Sequence, residues 1–243
     1  MKKNKLKIPI IEHESFVSLF LKNPNIYKIL FGPNRNGEPV TKLDTLTGRI
    51  YRLCEKLMPE YADMYPDQYN KPGTGLDKFK GEVYEIFMNG LLLLKGSDAR
   101  VGVADYKPVK SHDDHGVDGI GKGMDGKNLT VQIKYRSDPR HQLTQTELKQ
   151  FWGISFAAYG VEVTTSDNIL LISSCFGLHP LTAAKTFGGQ IREINAETTR
   201  NIVDGNTIFW NDFQTLIDNS IKVLFGDEIF KQVIDMNSEL CEE

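Results

Sequence analysis

Three residues of the stretch GVDGIGKGMDGKNLTVQIKY (116–135) could do chemistry together: Asp118, Gln132 and Lys134. The run NLTVQIKY reads as a β-strand. Successive side chains on a strand point to opposite faces, so Leu129, Val131, Ile133 and Tyr135 share one face while Thr130, Gln132 and Lys134 share the other. Gln132 and Lys134 then lie about 7 Å apart along the strand. Asp125-Gly126 between two extended runs predicts a hairpin, which brings Asp118, at the paired strand, close to them. An acid, an amide oxygen and a cation on one sheet face suit metal-assisted hydrolysis of a phosphodiester. Asp118 offers a hard anionic oxygen for Mg²⁺, Gln132 a neutral one and the main-chain carbonyl of Ile133 another. The metal polarises the phosphate and lowers the pKa of a bound water. Lys134 positions that water or stabilises charge on the pentavalent phosphate.

Each residue also has a plainer reading. Lys134 alone would serve as an edge-strand lysine that discourages aggregation. Asp118 between glycines would serve as a turn residue. The segment HDDHGVDG gathers His112, Asp113, Asp114, His115 and Asp118 and invites a separate metal cluster. A calcium loop starting at Asp114 fails at its third position, Gly116, and at its twelfth, Asp125, where glutamate is required. The segment reads best as a polar loop at the mouth of the site, with a minor catalytic or DNA-contacting role left open. Lys122, Lys127, Arg136 and Arg140 surround the hairpin. Residues 107–149 hold eight Lys/Arg against six Asp/Glu. Phosphate contact and a solvated surface are both open for these four. Tyr61, Tyr65 and Tyr69 recur at helical spacing and point to packing rather than base stacking. His141 has no partner visible in sequence.

The elements that must position the trio follow from periodicity. Residues 1–74 read as an N-terminal, mainly helical region, with helical spacing in ESFVSLFLKN (14–23) and LTGRIYRLCEKLMPEYADMY (46–65), a loop at 31–40 and a hinge at NKPGTG. LDKFKGEVYEIFMNGLLLLKG (76–96) reads as an amphipathic helix and RVGVADYKPV (100–109) as a strand. LTQTELKQFWGISFAAYG (143–160) is a helix, in which Thr144 and Glu147 fit a capping box. NILLISS (168–174) is a buried strand by its continuous apolar run. A short strand and a helix follow over 188–206, and the tail is helical. A hairpin combined with a crossover helix implies an α/β domain with a mixed sheet. The expected organisation is thus a helical region at 1–74 for recognition or dimerisation, a core at 75–206 and a helical extension at 207–243.

GVDGIG followed by VQIKY resembles the PD-(D/E)xK nuclease superfamily, and in particular the Mrr-like restriction endonucleases and restriction-helicase nuclease domains, where glutamine often replaces the second acid. KGEVYE (80–85) resembles the helix that opens that domain, which assigns Glu85 the helical acid, with Glu82 as the competing candidate. LTQTELKQFWG is similar to the helix after the QxK strand, with Gln150 and Phe151 as its Q-F pair, and INAETTRNIVDGN to the closing strand and helix. The resemblance spans about 76–206. It implies a restriction-endonuclease-like mixed sheet flanked by helices, and a DNA endonuclease of restriction or phage type. Its cofactor is Mg²⁺, with Mn²⁺ as a substitute. Glu85, Asp118, Gln132 and Lys134 are its catalytic set, and Asp118, Gln132, Ile133 and Glu85 its metal ligands. Gln132 departs from the two-carboxylate pattern and weakens Mg²⁺ binding unless Glu85 compensates.

Composition sets bounds on this. The 243 residues carry 40% hydrophobic and 25% charged side chains and a net charge of −3, an ordinary globular balance with no global nucleic-acid signal. Cys54, Cys175 and Cys241 form no zinc spacing and read as free thiols in a reducing compartment. No apolar run is long enough for a secretory segment or a membrane span. The expectation is a cytoplasmic protein of a bacterium or phage-infected host. It acts on DNA, as a homodimer if it cuts both strands, and a helicase or methyltransferase partner is left open. The competing readings are a structure-selective nuclease such as a Holliday junction resolvase, a non-catalytic DNA- or protein-binding module on the same fold, and a metal-binding regulatory domain built on HDDHGVD.

Overall fold

The protein is described by a computed structural model over Tyr27, Leu30, Phe31 and residues 45–64, 66–69, 75–109, 116–162, 168–181 and 191–238. The helix expected at 14–23, the loop from 32 to 40, the hinge at 70–74, the His112–His115 segment and Cys241 lie outside the described residues, as do the side chains of Tyr61, Tyr65 and Tyr69. In chain order the elements are α1 (Leu46–Met64), α2 (Pro66–Tyr69), α3 (Gly75–Lys95), β1 (Ala104–Pro108), β2 (Gly119–Lys122), β3 (Asn128–Lys134), β4 (Gln142–Leu143), α4 (Gln145–Ala157), β5 (Ile169–Ser173), β6 (Gly177–Leu178), β7 (Arg192–Ile194), α5 (Ala196–Val203), α6 (Thr207–Phe225) and α7 (Asp227–Ser238). Contacts divide the chain into two units, one of residues 66–202 and one that joins 1–65 to 203–243. The N-terminal region and the C-terminal extension, separate in sequence, therefore belong to one unit. Among the described residues no helix is long and apolar enough to cross a membrane.

The 66–202 unit is mixed α/β. Its sheet runs β1-β2-β3-β5-β7. β1, β2 and β3 are antiparallel, whereas β3, β5 and β7 are parallel. The change of direction follows from the connections. Asp125 and Gly126 turn β2 into β3 as a hairpin: the Gly123 N–H donates to the Lys127 carbonyl (2.9 Å), Asp125 Oδ1 accepts the Lys127 N–H (3.0 Å), and Gly126 takes φ 78°. A parallel neighbour requires a crossover, which α4 supplies between β3 and β5. β4 and β6, which periodicity does not reveal, pair in parallel as a separate two-stranded ladder. β1 is shorter than its apolar run implies. The chain turns through Val101 and Gly102, whose N–H groups both donate to the Asp98 carbonyl, and a register shift between Ala104 and Lys107 accompanies φ 50° at Asp105.

Both faces of β3 are covered. Leu129, Val131 and Ile133 are buried, and Tyr135 just beyond the strand meets Tyr84 of α3 with ring centroids 5.8 Å apart. Thr130 and Gln132 are also buried, and the Thr130 hydroxyl donates to Ser155 of α4 (2.7 Å). On the α4 side Leu148 and Phe151 pack with Val117, Leu143, Ile169, Leu171 and Cys175. In the other unit, α6 presents Phe209, Trp210 and Phe213, and the Arg49 guanidinium of α1 sits 4.2 Å from the Trp210 ring centroid while donating to the Leu30 carbonyl. Asp204 accepts the Leu46 N–H at the start of α1 (2.9 Å).

Phe151 is wholly buried. Phe151→Ala is expected to cost about 3–5 kcal/mol of stability, read from urea denaturation followed by circular dichroism. A loss under about 1 kcal/mol would show that α4 is not locked onto the sheet.

Candidate active site

The sheet register brings the central residues together. β2 and β3 pair Gly119 with Val131 and Ile120 with Thr130, and Asp118, the residue before β2, meets β3 through its own N–H and through its carboxylate. The main chain of Asp118 is held from both sides: its N–H donates to Val131 O (2.8 Å) and its carbonyl accepts the Val109 N–H (3.0 Å). Its carboxylate turns to the edge of β3, where Oδ2 accepts the Ile133 N–H at 2.5 Å. N–H and C=O of one strand residue point to the same side, so the Ile133 carbonyl is directed to the same edge as Asp118.

Gln132 is 2% exposed. Its Nε2 donates to the Gly116 carbonyl (2.6 Å), which leaves Oε1 buried with no hydrogen-bond partner. Gly116, at φ 91°, lies close to both the Gln132 amide and the Phe151 main chain, so a side chain there would be both strained and crowded. Lys134 follows Gln132 on the same face at the half-buried end of β3, and its ammonium has no hydrogen-bond or ion-pair partner among the described residues. One residue staples this end. The Ser174 N–H donates to the Lys134 carbonyl (3.0 Å), while the Ser174 hydroxyl accepts the Arg136 N–H (2.6 Å) and donates to the Arg136 carbonyl (3.0 Å).

Glu85 arrives from α3, half-buried like Glu82. Tyr106 on β1 reports its relation to Asp118. Burial first, then the charges of Asp118 and of Glu85, push the Tyr106 hydroxyl well above the usual tyrosine range. Both carboxylates therefore act on one buried hydroxyl. Among the described residues no three His, Cys, Asp or Glu side chains form a metal-ligand group. Oxygens at this end of β3 that could hold a hard cation are the Asp118 carboxylate, Gln132 Oε1 and the Ile133 carbonyl, whereas Glu85 stands on α3, which packs on the Tyr135 face of β3 while Gln132 faces α4.

No known protein family matches this sequence, and no curated protein does either.

The cations expected to face phosphate are mostly engaged within the protein. Arg136 donates to Glu147 Oε1 (2.7 Å), Lys127 pairs with Glu162 (2.7 Å), and Lys122 donates to Asn128 Oδ1 (2.7 Å). Arg140 is the most exposed of the four, at 83%, with Asp138 at 3.6 Å. His141 has a partner after all, Glu147 at 3.2 Å. Gln150 is exposed on α4 and Phe151 is core. Three contributors escaped the sequence reading: Ser174, Tyr106 and Asn89. Gly116 was in the quoted stretch, and its place before Asp118 was its only signal.

Glu147 joins these elements. Burial alone would raise its pKa, but the Thr144 N–H, the Arg136 guanidinium and the Thr144 hydroxyl outweigh burial and hold it at about 2, against an ordinary 4.5. The Thr144 contacts are the capping interaction expected at the start of α4, with the N–H donating to Glu147 Oε2 at 2.8 Å. A carboxylate whose pKa is lowered by folding stabilises the fold above its unfolded pKa, and the contribution is lost as pH falls towards the folded value. Stability should therefore decline as pH falls from about 4.5 to about 2. Urea midpoints across that window should fall less steeply in Glu147→Gln than in the natural chain, and equal slopes would count against this network.

Proposed function

We propose that the 66–202 unit is the catalytic unit of a Mg²⁺-dependent DNA endonuclease with a restriction-endonuclease-like sheet and a D…QxK site. The observation that carries the reading is the Asp118 carboxylate bonded to the Ile133 N–H, at the residue of β3 that lies between Gln132 and Lys134. This is the arrangement that the D…QxK order requires of the fold. The buried, partnerless Gln132 Oε1 adds support, because a cation is the partner that an inward carbonyl oxygen lacks.

In this reading Asp118, Gln132 Oε1, the Ile133 carbonyl and Glu85 hold Mg²⁺, with Mn²⁺ as a substitute. The cation supplies Lewis acidity toward the scissile phosphate. Asp118 is oriented in advance by its bond to Ile133, so its charge needs no rearrangement as the reaction proceeds. Gln132 is oriented by the Gly116 carbonyl. Lys134, its main chain stapled by Ser174, directs its ammonium to the phosphate or the attacking water and stabilises the charge that builds there. Arg140 is the cation best placed to contact the DNA backbone. Cutting of both strands would use two copies of the chain, in a cytoplasmic setting.

The test is nicking of supercoiled plasmid with Mg²⁺ by the natural chain, Lys134→Ala and Asp118→Asn, with folding checked by circular dichroism. Metal-dependent nicking that falls at least about a hundredfold in both folded variants supports the assignment. Equal activity in all three would sink it. A natural chain that cleaves neither plasmid nor branched, single-stranded or modified DNA, yet binds DNA, would favour a binding module.

A further inference from the structure

Tyr106 takes no part in the steps above, yet its surroundings link the two acids. Its hydroxyl donates to Asn89 Oδ1 at 2.5 Å, and both side chains are buried. Asn89 lies four residues after Glu85 on α3, so the two share one side of that helix. The same hydroxyl end of the Tyr106 ring lies across Gly119, the residue after Asp118. A Cβ built on Gly119 would collide with the Tyr106 hydroxyl and with its ring. The phenol hydroxyl end therefore touches both the Glu85-bearing helix and the residue that follows Asp118.

We propose that Tyr106 is a positioning residue: its bond to Asn89 and its seat on Gly119 fix the Glu85 carboxylate relative to the Asp118 carboxylate, and so set the affinity of the site for a divalent cation. The proposal rests on the nuclease reading in taking these two acids as cation ligands. Two carboxylates near one another repel. Holding them together before a cation arrives requires a rigid brace, and a tyrosine–asparagine pair does so without adding charge. Satisfaction of a buried hydroxyl explains why Tyr106 has a partner at all. It does not explain why both of its contacts adjoin the two acids.

The test is titration of the full-length chain with Mn²⁺, followed by electron paramagnetic resonance of the unbound ion. Tyr106→Phe keeps the ring and removes the hydroxyl, and is expected to weaken Mn²⁺ binding about tenfold, as loss of an outer-shell partner does. In a Glu85→Gln background the same change should have little further effect, since the brace acts through Glu85. Tyr106→Phe leaves a buried Asn89 oxygen unpaired, so the double variant Tyr106→Phe/Asn89→Leu, which removes both polar partners, controls for stability. It should recover thermal stability while Mn²⁺ affinity stays low. Unchanged affinity in Tyr106→Phe, or equal fold-losses with and without Glu85, would overturn the proposal. Binding lost in Asp118→Asn but intact in Tyr106→Phe would sink the brace alone. A natural chain that binds Mn²⁺ no better than Asp118→Asn would sink both the brace and the metal reading.

Discussion

The hydrogen bond from the Ile133 N–H to the Asp118 carboxylate is the constraint on which the site depends. A buried main-chain N–H must find an acceptor, and along β3 the acceptor would ordinarily be a carbonyl of β2. Here the β2–β3 ladder ends on a side chain instead. One bond then satisfies the strand and fixes the acid. It also fixes the other groups. With the main chain of Val131 and Ile133 turned to β2, that of Thr130 and Lys134 turns to β5, as the bonds of Thr130 to Asn168 and of Ser174 to Lys134 record. The directions of Gln132, of the Ile133 carbonyl and of Lys134 all follow from strand alternation.

The cost of this arrangement lies on the α4 face. Polar side chains on a strand covered by a helix are unfavourable unless they are hydrogen-bonded. Thr130 solves this with a relay: its hydroxyl donates to Ser155, and the Ser155 hydroxyl donates to the Phe151 carbonyl. Gln132 is satisfied at its nitrogen and not at its oxygen. Among the described residues of β3, that leaves the Gln132 oxygen as the buried side-chain acceptor without a partner, the oxygen that the proposed nuclease site assigns to a cation.

Local patterns made part of this legible. The Asp-Gly turn and its flanking runs define the hairpin, and alternation along NLTVQIKY groups Gln132 with Lys134, so the approach of Asp118 to β3 could be read from sequence alone. The Thr144–Glu147 cap was equally local. What sequence did not carry were contacts between distant residues. Nothing near Tyr106 announces Asn89, because only the packing of α3 on β1 joins them. For Arg136 phosphate contact and a solvated surface both stood open in sequence, because its partner Glu147 becomes a neighbour only when α4 folds back. β4 and β6 are too short for any periodicity. The bulge at Asp105 shortens β1 below the length of its apolar run. The junction of the two chain ends rests on contacts such as that of Leu46 with Asp204, which no window along the chain can contain.

That junction has a consequence for how the protein is made. The core around Arg49, Trp210 and Phe213 draws on α1 near the beginning of the chain and on α6 near its end. During synthesis α1 leaves the ribosome long before α6 exists, whereas the 66–202 unit has all of its own strands once β7 has emerged. A chain halted before α6 would hold a finished sheet unit and an α1 whose Arg49 has no Trp210 ring to meet.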